Sequence, residues 1–303
     1  MKILVIARKK GFWTTRECSG IFSKVILLRA NPFVIEQYII GLFIIIFSLF
    51  YRPDVFIFGT STKIVTIFSV LKRIGLFKKV KCITDKQYLP VREAEMMDKI
   101  VVYSPGEINQ YPENLRDKFI FLHYPSKTEL VDIDGSRVHG QYIFCGGNNM
   151  RDHASFIESI KELAIKVVVV TDKKLPDNLP PNCEIFGRLP LHDYMNLMAG
   201  SLFVVAPLLP SDSPHGHCDI SSALSLGKPV VTTKGASVDE YIEYGKNGLL
   251  VEPLNVADYK EKISLLVNNN KYLNNLSEYA GSHIADFSYK SFGSKLMNII
   301  YSV

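Results

Sequence analysis

SSALSLGKPVVTTKGASVDEYIEYGKNGLLVEP, Ser221–Pro253, is the stretch that decides the fold. Its opening Ser221–Leu226 is an apolar run stopped by Gly227 and Pro229, a helix end followed by a residue that cannot continue a helix. Val230–Thr233 is β-branched throughout, as a strand covered on both faces should be. A Gly-Ala turn then leads to Asp239 and Glu240, which open an expected second short helix, and Asn247-Gly248 turns into a further strand. Helix N-termini placed at the carboxyl ends of parallel strands line the crevice where such sheets bind ligands.

Working outward, strands are expected at Tyr142–Cys145, Val167–Thr171, Cys183–Phe186, Phe203–Pro207 and Leu249–Val251 around Val230–Thr233, with a terminal helix at Tyr289–Tyr301. The first half repeats the rhythm. Strands are expected at Ile3–Ile6, Val55–Phe58, Val80–Thr84, Lys99–Tyr103 and Phe119–Leu122, and helices at Ile35–Phe50, Thr62–Ile74 and Gly106–Tyr111. Val131–Gly140 is polar, aperiodic and holds two glycines, so it reads as a linker. The expected fold class is α/β: two Rossmann-like, doubly wound domains, residues 1–135 and 136–303, facing each other across a cleft.

Composition sets bounds. The 303 residues, 47% hydrophobic, suffice for two cored domains and exclude wholesale disorder. Five scattered cysteines with no C-x-x-C spacing read as reduced thiols, not as a disulfide frame or zinc site. The opening MKILVIARKK puts its basic cluster after the apolar run, the reverse of a signal peptide, so a cytoplasmic setting is expected.

Charge is uneven. Met1–Lys127 holds 20 Lys and Arg against 10 Asp and Glu, and the remainder 15 against 20. The basic half points to an anionic partner, and in the absence of a nucleic-acid module an anionic membrane face or a lipid-pyrophosphate acceptor fits better. Tyr38–Tyr51, YIIGLFIIIFSLFY, carries no charge but is shorter than the roughly 20 residues of a bilayer span. It reads as a buried helix or as one whose surface dips into the membrane interface. Lys72, Arg73, Lys78, Lys79 and Lys81 lie nearby in sequence, as headgroup ligands or as an ordinary solvated face.

Three groups carry candidate chemistry. In FCGGNNMRDHASFIESI, Phe144–Ile160, a strand ends before Gly146 and Gly147, and a helix begins near Asp152. Backbone amides there suit a diphosphate, and Arg151 supplies a planar cationic fork. In SDSPHGHCDISSALSLGKPVV, the amides of Gly216, Asp219, Ile220 and Ser221 sit at a helix start, with Ser221 and Ser222 as hydroxyl partners. His215 and His217 there would hydrogen-bond sugar hydroxyls or stabilise a leaving diphosphate as imidazolium. In the first half, Asp85 ends the Val80–Thr84 strand and is the carboxylate best placed for a general base.

The Ser221–Pro253 block closely resembles the donor-binding core of GT-B glycosyltransferases of the "group 1" type, with their EA-x-A-x-GKPVV…GG-x-x-E…NG pattern. The resemblance covers most of Tyr142–Val303 and extends to Met1–Lys127 only in rhythm. It implies a transferase moving a sugar from a nucleotide-diphosphate donor to a glycan or polyprenyl-pyrophosphate-linked acceptor, in bacterial capsule, O-antigen or exopolysaccharide synthesis. The setting it implies is the inner face of the plasma membrane, with peripheral contact through the basic first domain. No metal, cofactor or nucleic acid is expected.

The resemblance places Arg151 on the family's phosphate-binding Lys and Glu240 on the Glu of its GG-x-x-E turn. It places Lys9, Lys10 and Gly11 on a flexible loop near donor phosphates and acceptor, and implies a terminal helix that crosses back to the first domain. One departure stands out: the paired glutamates eight positions apart that meet sugar and ribose fall here on Pro214 and Ser222. Two other readings are therefore carried: a nucleotide-sugar epimerase on the same fold, and a nucleotide- or membrane-binding subunit that no longer catalyses.

Overall fold

The computed structural model describes residues 1–8, 24–28, 34–59, 62–85, 89–134, 141–211, 215–235 and 238–303. They form two compact units, Met1–Leu122 with Phe292–Val303, and His123–Ser291.

The first unit is built on a parallel sheet of six strands: β1 (Ile3–Arg8), β2 (Lys24–Leu28), β3 (Val55–Gly59), β4 (Lys81–Thr84), β5 (Lys99–Val102) and β6 (Phe119–Phe121). Their spatial order is β2-β1-β3-β4-β5-β6, a doubly wound arrangement. Helices α1 (Val34–Tyr51) and α2 (Thr62–Arg73) flank β3, and a single turn, α3 (Val91–Ala94), precedes β5. Ile3–Ile6 and Val55–Phe58 are buried along their whole length because the sheet is covered on both faces. Phe56, Phe58, Phe68 and Phe77 form the aromatic centre, with Phe56–Phe68 centroids 4.6 Å apart and Phe77 edge-on to Phe56 at 5.7 Å. Phe56, Phe58 and Phe68 are fully buried, each contributing about 1.5–3 kcal/mol, and Phe77 is half-buried at their edge.

Two features differ from expectation. β2 was not foreseen, because KVILL is too short for periodicity to separate a strand from a buried helical turn. The helix expected at Gly106–Tyr111 is a 3-10 helix, Pro105–Gln110. Pro105 and Pro112 bracket it too closely for an α-helix to grow. A capping box closes its start, with the Glu107 carboxylate accepting from the Tyr103 and Ser104 N–H groups at 3.1 and 3.2 Å.

The second unit holds β7 (Tyr142–Gly146), β8 (Lys166–Val170), β9 (Cys183–Phe186), β10 (Phe203–Ala206), β11 (Val230–Thr233) and β12 (Gly248–Val251). These pair in parallel in the order β12-β11-β10-β7-β8-β9, the dinucleotide-fold order 3-2-1-4-5-6 read from the other edge. Around them lie α4 (His153–Ser159), α5 (Leu191–Gly200), α6 (His217–Ser225), α7 (Val256–Asn268) and α8 (Asn270–Ser282). α6 ends as its sequence requires. Gly227 adopts φ +66°, and the Gly227 and Lys228 N–H groups return to Leu224 and Ala223 carbonyls. The glycine of the Asn-Gly turn is obligatory, since a Cβ on Gly248 would collide with the Val230 carbonyl oxygen of the neighbouring strand.

The helix expected to open at Asp239 is instead a turn. The Asp239 carboxylate accepts from the Gly235 N–H at 3.0 Å, and Tyr241, 2% exposed, is drawn into the interior two residues later. That leaves no room for a helical repeat.

The units divide at Leu122/His123, ahead of the 131–140 stretch read as linker. Residues after the division belong to the second unit because their polar groups bond there: Tyr124 N–H to the Tyr241 hydroxyl at 2.8 Å, and Ser126 to Ser225 at 2.6 Å. Helix α9 (Tyr289–Tyr301) begins in the second unit, and its residues from Phe292 onward belong to the first, where Phe292 stacks on Tyr103.

Candidate functional site

In the second unit the chain leaves the sheet centre in opposite directions from β7 and β10, which makes their carboxyl ends the switch point. The segment after β7 folds over this point. Arg151 bridges to Leu208, and Asp152 N–H donates to the Pro207 carbonyl at 3.0 Å. Beside it lies a cleft of about 780 Å³ whose lining includes Asn148, Arg151, Lys173, Lys174, Leu175 and His215. That volume is in the range of small-molecule sites.

Asn148 ties two walls together, its Oδ1 accepting from the Thr171 hydroxyl at 2.8 Å and the Asp172 N–H at 2.7 Å. Arg151 is almost fully enclosed, 4% exposed. Its Nε donates to the Gly146 carbonyl (2.9 Å), Nη1 to the Asn149 carbonyl (3.0 Å) and Nη2 to the Asp219 carboxylate. The other Asp219 oxygen accepts from the Tyr194 hydroxyl at 3.1 Å. Burial, with the Asp219 charge beside it, lifts the Tyr194 phenol well above its usual value, so it stays a donor.

The glycine pair is required by this arrangement. A Cβ on Gly146 would collide with the Tyr194 hydroxyl, and Gly147, at φ +107°, leaves space only for the Arg151 guanidinium. The pair thus makes way for side chains. Gly216, at φ +78°, starts α6 without a side-chain cap, and a Cβ there would stand 2.9 Å from Leu208.

Sequence reasoning named Gly146, Gly147, Arg151, His215, Gly216 and Asp219, and the structure brings them together around one end of the sheet. His215 is partly exposed on the cleft, and burial followed by the Arg151 charge pushes its imidazole below the usual value. His217 is buried against the Tyr124 ring at 4.9 Å, and burial first, then His215, pushes it down to about 4. Both rings are therefore neutral at pH 7 in this form. Ile220, Ser221 and Ser222 lie inside α6 with no exposure beyond traces. The two hydroxyls bond back to the Cys218 carbonyl at 3.2 and 2.8 Å, a habit of helical serines. Glu240 is an exposed turn residue whose carbonyl oxygen lies 3.1 Å from His123 Nε2.

In the first unit Asp85 accepts from the Tyr103 hydroxyl at 2.8 Å, and burial raises its carboxyl to about 6. Lys9, Lys10 and Gly11 lie outside the described residues, as does Pro214.

Four residues of the second unit were not foreseen. Lys173 and Lys174 follow β8 after Thr171 and Asp172, and a lysine pair just past a β-branched strand is a legible signal. Lys127 stands beside Cys218 and Asp219, and these neighbours hold its ammonium above the usual value against the pull of burial. Nothing in the sequence near Lys127 or Tyr194 announces these contacts.

Residues 172–283 match the family model of glycosyl transferases group 1. The chain is 28% identical over 203 residues to an uncharacterized glycosyltransferase of Methanocaldococcus jannaschii, covering 64% of this chain and 56% of that one. The chain thus spans about half the length of that curated relative. Among solved structures it is similar to a glycosyltransferase from Rickettsia africae (TM-score 0.75, 14% identity, 98% of this chain and 97% of that one). It is also similar to Anabaena Alr3699/HepE in complex with UDP (TM-score 0.72, 12% identity, all of both chains). A Neisseria meningitidis UDP-GlcNAc 2-epimerase bound to UDP-GlcNAc shares the fold less closely, at TM-score 0.60 and 13% identity over all of both chains. Residues 172–283 are thus similar to glycosyl transferases group 1, and the chain has the two-sheet fold of the GT-B glycosyltransferases.

Proposed function

We propose that this protein transfers a sugar from a nucleoside-diphosphate sugar to a glycan or polyprenyl-pyrophosphate-linked acceptor in bacterial surface polysaccharide synthesis. In this reading the enzyme works at the inner face of the plasma membrane. One observation carries it: a cleft at the β7/β10 switch point, walled by Arg151, Lys173, Lys174 and His215, adjoins the group 1 segment. Lys173 and Lys174 meet the diphosphate, the enclosed Arg151 adds its charge from behind them, and His215, neutral in the free protein, gains a proton or donates a hydrogen bond as leaving-group charge develops. The HepE and epimerase complexes, which hold UDP and UDP-GlcNAc, support a nucleotide donor.

Asp85 is the first unit's candidate for taking the acceptor's proton, its carboxyl near pH 6 and oriented by Tyr103. The reaction needs no metal in this account, so a chelator leaves the rate unchanged. The test is release of nucleotide from labelled donors with and without acceptor. Acceptor-dependent release supports transfer, and release or isomerisation from donor alone supports an epimerase.

A second reading rests on Ser222. It stands where related enzymes place a ribose-binding glutamate, and here its hydroxyl is buried and bonded to the Cys218 carbonyl. A chain that binds nucleotide but turns over no donor in either arm would be the non-catalytic subunit.

A further inference from the structure

Over Gly41–Phe50, where its side chains are described, α1 has an apolar outer face. Each exposed position there is a large hydrophobe: Leu42, Phe43, Ile46, Leu49 and Phe50, the last 85% exposed. At about 100° per residue these five fall within an arc of about 120°. Ile44 and Ser48, on the opposite side, are buried in the unit. The stripe presents on the order of 500 Å² of apolar surface, near the upper end of what a monomer leaves exposed. Among the described residues no helix is long and apolar enough to cross a membrane. A helix seated on its own core and apolar on the outside is suited to lie in an interface plane.

α2 packs beside α1 on the same face of the sheet, since Ile44, Ile64, Val65 and Phe68 share one core with Phe56 and Phe58. The segment that ends α2 repeats the chemistry. Ile74 and Leu76 are exposed among Arg73, Lys78 and Lys79. At the end of α1, the Lys2 ammonium donates to the Tyr51 carbonyl at 3.2 Å, and Arg52 is exposed next to it. Both groups of cations follow helix C-termini at the amino ends of the parallel strands β3 and β4, so they border the C-terminal end of the apolar stripe.

We infer that the α1 stripe, with the Arg73–Lys79 segment, is a docking surface for an anionic lipid bilayer. Leu42, Phe43, Ile46, Leu49 and Phe50 enter the acyl boundary, and the lysines and arginines meet headgroup phosphates. Charge decides between this and a second copy of the chain. The residues of the first unit's range, Met1–Leu122, carry 19 Lys and Arg against 10 Asp and Glu, so two such faces repel each other while an anionic membrane attracts each one. The inference gives a surface to the membrane setting proposed above and does not depend on the donor cleft.

The test is co-sedimentation of the full chain with phosphatidylglycerol-containing and pure phosphatidylcholine vesicles, beside F43E/F50E. Circular dichroism and melting confirm that the variant is folded; L42Q/L49Q is the milder substitute if it is not. The expected result is binding to anionic vesicles that weakens with salt, drops at least tenfold in F43E/F50E, and falls in K78E/K79E. UDP affinity should be unchanged in all three variants. Equal vesicle binding by wild type and variant, no binding by either, or a wild-type dimer that F43E/F50E splits without any vesicle binding would each overturn it. Vesicle binding without nucleotide binding would count against the donor reading alone.

Discussion

Replacing Asp219 by asparagine should pull stability and nucleotide affinity in opposite directions. In the folded chain the Arg151 side chain is 4% exposed and Asp219 17%, so the pair is largely removed from water. Breaking a buried pair by neutralising one partner costs about 3–5 kcal/mol. Arg151 keeps carbonyl partners at Gly146 and Asn149, and the amide that replaces the carboxylate can still meet Tyr194, so about 2–3 kcal/mol is expected. Arg151→Met should cost a similar amount by stranding the carboxylate. In a double-mutant cycle followed by urea unfolding, the double variant should lose less than the sum of the two by about 1.5–3 kcal/mol. Calorimetry supplies the second readout: Asp219→Asn leaves the guanidinium unneutralised beside the cleft, so UDP should bind more tightly, while Arg151→Met weakens it. Additivity within about 0.5 kcal/mol would refute the coupling. Weaker UDP binding by a folded Asp219→Asn would refute the electrostatic argument.

Gly248→Ala should destabilise the chain by about 2 kcal/mol or more, since its Cβ meets a strand carbonyl that cannot move without breaking the β11–β12 register; thermal melting reads this. Asp85 has a carboxyl raised from 3.8 to about 6, so its ionisation opposes folding progressively as pH rises through that window. Asp85→Asn should therefore raise the unfolding midpoint at pH 8, with the gain fading below pH 4. If Asp85 is the base, transfer should fall away below about pH 6, and Tyr103→Phe, by removing the hydrogen bond that lowers this value, should move the acid limb upward. Because His215 is neutral when free, a bound diphosphate should draw a proton onto it. Calorimetric enthalpies near neutral pH should then depend on the buffer's ionisation heat in the wild type and not in His215→Gln.

Much of this was legible along the chain. Val230–Thr233 forms a strand at the residues expected, because a β-branched run between turn residues has few alternatives, and Cys183–Phe186 does so as well. α6 ends at Gly227 for the reason its sequence gives. What was lost is what sequence order does not contain. Asp239 looks like a helix start, but its carboxylate closes a turn onto Gly235. Arg151 was recognisable as the cleft cation, yet its anion lies 68 residues away and Tyr194 reaches the same carboxylate from another helix. The backbone at the glycine pair 146–147 is expected from sequence to face a diphosphate, and the space beside it is filled by Tyr194 and Arg151. Short-range pattern predicts elements; it does not say which distant side chain an element will face.

The central claim, that the cleft of the second unit takes the diphosphate of a nucleotide sugar, is tested most directly by titrating the full chain with uridine, guanosine, adenosine and cytidine diphosphates, beside K173A/K174A. The account predicts saturable binding of one nucleotide, weakened in that variant and in Arg151→Met. Binding of none of them, or binding that the cleft variants leave unchanged, would contradict it.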